Sequence, residues 1–239
     1  LLGWVGGLIM AVSWQVIPMF YLAENISKTT MRWFFGLLLS GLILPFISVF
    51  AGTEHQDIFS PGRLAAIGAL PAAVVIWLLH PILLLRNIAR RKRKRRDASL
   101  LFWRAGLAAA LVLIPVSIAA LLSIEPRWQI LFGWVAIWGW AGMIMHGMLS
   151  RIVPFLVWFH RYSSRVGFEP VPSMRSLLSQ RQIQVGFVLH AGSVLSGIAA
   201  IISQNDFLTR FTGLLLIATA ISLGNMLIHV LKSKPVSTP

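Results

Sequence analysis

Two apolar runs, LAAIGALPAAVVIWLLHPILLLR (64–86) and FWRAGLAAALVLIPVSIAALLS (102–123), flank the basic block RRKRKRR, Arg90 to Arg96. Each run matches or exceeds the roughly 20 mostly apolar residues that a helix needs to cross a bilayer. The seven cations between them belong outside the hydrocarbon, against anionic lipid headgroups. This alternation of span and connection extends in both directions and predicts an all-α, polytopic transmembrane helix bundle of about seven helices. The spans are expected at about 1–22, 33–52, 64–86, 102–123, 128–159, 182–203 and 208–231, in a single transmembrane domain, 1–239.

Composition agrees. The chain is 57 % hydrophobic and only 12 % charged, with a mean hydropathy of +0.78, whereas soluble domains carry about 25 % charge. The lipid bilayer is the expected partner of most of the surface. A net charge of +14, from 21 Lys and Arg against seven acidic residues, would suggest nucleic acid in a soluble protein. Here the cations sit in connections between spans, where they act as topology anchors, and no nucleic-acid partner is expected. There is no cysteine, which excludes disulfides and thiolate metal sites.

The connections divide by charge. Lys28 and Arg32, then the 90–96 block, then Arg161, Arg165, Arg175 and Arg181 fall in alternate connections, and Lys232 and Lys234 end the chain. The intervening connections carry Glu54, Asp57 and Arg63, then Glu125 and Arg127, then Asp206. The positive-inside rule places the first group and the C-terminus in the cytoplasm. Leu1 to Leu22 is apolar with neither a basic n-region nor a cleavage site, so it reads as a helix entered partway and not as a signal peptide. The chain is therefore expected to be N-terminally truncated, with further helices upstream.

The fifth span exceeds what a bilayer needs and contains Pro154, which predicts a tilted or kinked helix. The loop GFEPVPSMRSLLSQRQ (167–182) holds Pro170 and Pro172, with Ser173 as the expected N-cap of the next helix. Trp4, Trp33, Trp103, Trp128 and Trp158 are expected in the aromatic belts at the headgroup level. The first and fifth spans echo each other. Gly7-Leu-Ile-Met and Gln15-Val-Ile-Pro18-Met-Phe parallel Gly142-Met-Ile-Met and Arg151-Ile-Val-Pro154-Phe, as a parallel four-helix repeat would require.

Ionisable groups inside a membrane are costly and mark function by default. His146 and His190 lie deep in the fifth and sixth spans among small residues, at depths that can match, and neutral imidazole ligates both haem iron and copper. His80 and His229 are expected near helix ends, snorkelling to the interface, with His160 also interfacial. His55, beside Glu54 and Asp57, is a weaker metal candidate. Arg151 is buried one turn before Pro154 with no carboxylate in any span. Its partner is expected to be the carbonyl freed by Pro154, a bound anion, a haem propionate or a helix upstream. Gln15 and Asn225 are further inward-facing polar candidates.

The stretches GWVGGLIMAVSWQVIPMFY (3–21) and MHGMLSRIVPFLVWFHRYS (145–163) resemble bacterial membrane proteins related to subunit I of the haem-copper oxidases, NnrS-like proteins among them. The resemblance covers about 40 residues. It implies a larger bundle of about twelve helices, the bacterial inner membrane, haem b and copper as cofactors, and a role in electron transfer or nitric-oxide response. Under it His146 and His190 are candidates for single metal ligands, and Arg151, read from its burial, is the candidate partner of a bound cofactor. The chain departs from true oxidases in lacking their closely spaced histidine pairs, which puts oxygen turnover in doubt. Two other readings stand beside this one: a transporter or permease with an anion site at Arg151, and a non-catalytic membrane assembly subunit.

Overall fold

The computed structural model describes residues 1–51, 61–92, 97–168 and 171–232, and among them it is all-helical, with no strand. Seven helices are long and apolar enough to cross a membrane, and the chain is a multi-pass membrane protein. They are α1 (Leu2–Tyr21), α2 (Lys28–Ala51), α3 (Leu70–Arg90), α4 (Ser99–Leu122), α5 (Pro126–Arg165), α6 (Gln180–Ser203) and α7 (Asp206–Lys232). A short helix, Pro61–Gly68, precedes α3. Most helices extend a few residues beyond the apolar runs, as when α2 starts at Lys28 and α3 continues to Arg90. Hydropathy marks the hydrocarbon, whereas the backbone keeps its internal hydrogen bonds on into the interface.

Three stretches are π-helical: Leu2–Gly6 in α1, Val75–Leu79 in α3 and Val135–Gly142 in α5. In α1 and α5 the π register ends at the start of the echoed Gly-containing segment. In α3 it ends just before His80. Such stretches re-aim carbonyls and side chains and recur at functional sites.

The chain divides into two compact units. The first comprises Leu1–Arg95 and Leu107–Ile118, the second Arg96–Gly106 and Ala119–Pro239, so that α4 contributes to both. In the first unit small residues set the helix spacing. A Cβ on Gly41 would lie 2.2 Å from the backbone nitrogen of Ala72, and one on Gly68 would lie 2.7 Å from that of Pro45. Backbones in such close contact hold together by van der Waals packing, the attraction that remains available in lipid. Ile17, Val75, Ile76 and Leu84 are buried in this unit.

His80 is not interfacial, which corrects the sequence reading. Because its helix continues to Arg90, the residue falls mid-span, fully buried, with Nε2 2.9 Å from Ser13 Oγ. Ser13 gives its only proton to the Met10 carbonyl at 2.8 Å, so His80 Nε2 must be the donor. His80 Nδ1 is left without a hydrogen bond among the described residues.

In the second unit α6 and α7 form an antiparallel hairpin. Gln204 adopts the left-handed conformation at the turn, φ 52° and ψ 37°, and Asn205 Oδ1 caps α7 through Leu208 N. Thr212 Oγ1 donates to Ser196 Oγ across the hairpin, and Arg161 donates to the Leu231 carbonyl. The N-cap of α6 is Ser179, not Ser173. Ser179 forms a capping box with Gln182, while Ser173 precedes a single 3₁₀ turn, Met174–Leu177. The reciprocal bond to a Gln three residues on decides between the two serines.

Trp4 and Trp33 are exposed and Trp158 is half-buried, donating to the Pro172 carbonyl. Trp103 is fully buried and so is not a belt residue. His160 and His229 are exposed, as expected. His55, Glu54 and Asp57, residues 93–96 of the basic block, Pro170 and Lys234 lie outside the described residues, as does the side chain of Arg175.

Candidate functional site

His146 and His190, 44 positions apart in sequence, meet in the core of the second unit. His146 is 3 % exposed and His190 1 %, and their Nδ1 atoms are 3.1 Å apart. His190 Nε2 lies 3.1 Å from the carbonyl oxygen of Trp138, within the π-helical stretch of α5. A carbonyl can only accept, so His190 carries its proton on Nε2. Charge is costly in this apolar setting, so the neutral ring then offers Nδ1 as an acceptor. His146 fills it with Nδ1–H, and His146 Nε2 makes no hydrogen bond among the described residues.

Aromatic rings hold the pair. Trp138 stacks on His190 at 4.2 Å and 20°, with its indole N–H on Ser193 Oγ at 2.7 Å. Ser193 Oγ in turn donates to the His190 carbonyl. Phe102 of α4 lies 4.4 Å from the His146 ring and edge-on to His190. The small neighbours permit this packing. A Cβ on Gly147 would lie 2.7 Å from that of Phe102, one on Gly142 would lie 3.5 Å from His190 Cε1, and one on Gly186 would lie 3.1 Å from His146 Nε2.

The fit of each expected cofactor follows from these distances. Haem does not fit the pair as arranged. Both Nδ1 atoms face each other with no slot for a macrocycle, His190 Nε2 is held by a carbonyl, and His146 Nε2 faces the backbone of Gly186. A single metal ion fits better. Two nitrogens 3.1 Å apart have the separation of adjacent ligands on an ion with bonds of about 2.0–2.1 Å. A ligating histidine characteristically donates its other N–H to a carbonyl, as His190 does to Trp138. Among the described residues no three His, Asp or Glu converge, so remaining donors would come from elsewhere. The buried thioether of Met143, one turn before His146, belongs to the same core.

Arg151 is buried in α5, and its counter-charge is Asp97, in the connection before α4, which corrects the expectation of a carbonyl, a bound anion, a propionate or an upstream helix as its partner. Arg151 Nη2 pairs with Asp97 Oδ2, and Arg151 Nε donates to Ser99 Oγ at 2.9 Å. The two side chains of the ion pair are 7 % and 4 % exposed. Asp97 also accepts from the Ser99 backbone at 3.1 Å and from its hydroxyl at 2.7 Å, closing the start of α4. Burial alone would raise the Asp97 pKa, but the hydrogen bond and charge of Arg151, with the two bonds from Ser99, hold it below the usual carboxylate value. With its charge cancelled, Arg151 loses the attraction on which an anion site or a propionate contact relied.

Neither Gln15 nor Asn225 is buried within its own unit, which corrects the reading of each as inward-facing. Gln15 is exposed and lines a cleft of the first unit with Trp14, Pro18 and Glu24. Asn225 is exposed on α7.

The reading from sequence missed Asp97, Ser99, Trp138 and Ser193. Asp97 was open to detection: it is the carboxylate that directly follows the basic block and stands two residues before a span. Trp138 was not, because a carbonyl aimed by π-helical register leaves no mark in composition. No protein-family model, no curated protein and no solved structure matches the chain.

Proposed function

We propose that this chain is a transition-metal protein of the membrane, acting in electron transfer or nitric-oxide response, in which His146 and His190 hold a copper ion through their Nδ1 atoms. The observation that carries this reading is the 3.1 Å separation of the two nitrogens, with His190 oriented by the Trp138 carbonyl. Imidazole suits copper, and a thioether such as that of Met143 favours its reduced form. Copper bound there supplies one-electron redox chemistry. The protein fixes both rings between Trp138 and Phe102 and keeps water out. With a metal held at Nδ1, His146 would carry its proton on Nε2. The Asp97–Arg151 pair, electrically neutral, ties the start of α4 to α5 and so supports the placement of Phe102. Arg90 and Lys92, both exposed, support contact of the basic block with anionic headgroups.

The test is metal analysis and electron paramagnetic resonance of the purified protein in lipid nanodiscs after copper loading. One copper per chain is expected, lost in His146→Ala and His190→Ala while helical circular dichroism is retained. No copper bound to folded wild-type protein would reduce the pair to a structural hydrogen bond. A haem Soret band that disappears in His146→Ala would overturn the copper reading in favour of haem.

A further inference from the structure

Ser193 is fully buried on α6 and bonds to neither imidazole of the histidine pair, yet it closes a loop of contacts around His190. A serine inside a helix ordinarily turns its hydroxyl back to a carbonyl of the preceding turn. Ser193 does so, donating to the His190 carbonyl at 2.7 Å. That uses its one proton and leaves oxygen lone pairs to accept. The Trp138 indole N–H takes one of them, at 2.7 Å. Trp138 in turn makes two contacts with His190. Its carbonyl accepts from Nε2 at 3.1 Å, and its ring lies on the imidazole, centroids 4.2 Å apart and 20° from parallel. α5 and α6 are thus tied reciprocally, a ring N–H of each being held by the other.

One turn earlier on α5, Trp134 donates to the Val194 carbonyl at 3.1 Å, a main-chain acceptor that does not depend on the side chain at 194. The acceptor for Trp138 is a side chain, so position 193 decides whether that indole is held. Holding it matters because an imidazole can turn over. Rotation by half a turn about its Cβ–Cγ bond exchanges Nδ1 with Cδ2 and Nε2 with Cε1. That would take Nδ1 from His146 and Nε2 from the carbonyl together. Midway, the imidazole stands across its present plane and needs the space of the indole. A fixed Trp138 blocks this rotation, and a free one gives way to it.

We propose that Ser193 is a positioning residue for the histidine pair: by accepting the indole N–H it pins Trp138 over His190 and so keeps Nδ1 of His190 turned toward His146. Its effect on copper rests on the reading proposed above, whereas its hold on the ring exists without metal. Removing the outer hydrogen-bond partner of a metal-ligating histidine weakens metal binding about 10–100-fold, and Ser193 acts through one such partner, Trp138.

The experiment is NMR of the full chain, metal-free in nanodiscs, with isotope-labelled histidine, His190 being assigned by its absence from His190→Gln. Wild type should show one His190 form, protonated at Nε2. Ser193→Ala and Trp138→Phe cut the same bond from its two ends. Each should therefore add a second His190 form, and the double variant should add no more than either alone. Ser196→Ala removes a hydroxyl that donates to the Ser193 carbonyl and should match wild type. Copper titration should then show binding weakened about tenfold or more in Ser193→Ala and in Trp138→Phe. If Ser193→Ala does not fold, Trp138→Phe, which keeps an aromatic ring over the imidazole, carries the test. A single unchanged His190 form in the folded variants would overturn the inference, as would a second form in Ser196→Ala. A wild type that binds no copper, while its variants free His190, would remove the copper reading and leave this inference standing.

Discussion

Replacing Asp97 with Asn keeps the shape of the side chain and removes the charge that answers Arg151. The guanidinium, in a residue 6 % exposed overall, is then buried without a counter-ion. Two independent routes set the size of the loss. Opposite unit charges 4 Å apart in an effective dielectric near 20 attract by about 4 kcal/mol, and breaking a buried pair by removing one partner costs about 3–5 kcal/mol. A loss of about 4 kcal/mol corresponds to roughly a thousandfold change in the folding equilibrium. The assay is unfolding of the purified protein in mixed micelles with increasing SDS, followed by circular dichroism. Because the penalty lies in the orphaned charge, Asp97→Leu with Arg151→Met should recover most of the loss, apolar replacement of such pairs being near neutral. If Asp97→Asn unfolds within about 1 kcal/mol of wild type, or if the double variant is worse than the single, the pairing described above is wrong. The pH dependence has a definite sign. The folded-state pKa of Asp97 is lowered, so the pair contributes fully above the unfolded carboxylate value of about 3.9. Its contribution is lost only as pH falls through the lower folded value. Stability due to the pair is therefore flat from about pH 5 to 8.

Further outcomes follow from the packing. Gly41→Ala pushes a Cβ into the backbone of Ala72 and should destabilise the first unit by about 1–3 kcal/mol or more, read in the same SDS titration. Gly197→Ala meets the indole of Trp134 at 2.3 Å and should break the Trp134 N–H bond to the Val194 carbonyl, which a shift in tryptophan emission would report. Ser13→Ala strands the buried His80 Nε2–H and should cost about 1–3 kcal/mol, whereas His80→Leu, which removes the donor itself, should cost less. Gln204→Gly relieves the left-handed turn of the α6–α7 hairpin and should stabilise by about 1 kcal/mol.

The sequence by itself determined the seven spans, the length of the fifth and the residues worth watching. These are local properties: in lipid each segment must satisfy its own backbone, so an apolar run of sufficient length commits to a helix wherever its neighbours lie. Depth could likewise be counted along a helix, which brought His146 and His190 forward as a pair. Facing and partnership could not be counted, because they depend on helix rotation and on contacts between distant segments. His80 illustrates the first, since it looked like an end residue until the helix proved to run on to Arg90. Arg151 illustrates the second, since it looked unanswered because Asp97 lies 54 positions away, outside any span. Only the tertiary structure turned the two Nδ1 atoms toward each other, set the Trp138 carbonyl on His190 within a π-helical stretch, and left Asn225 exposed on α7.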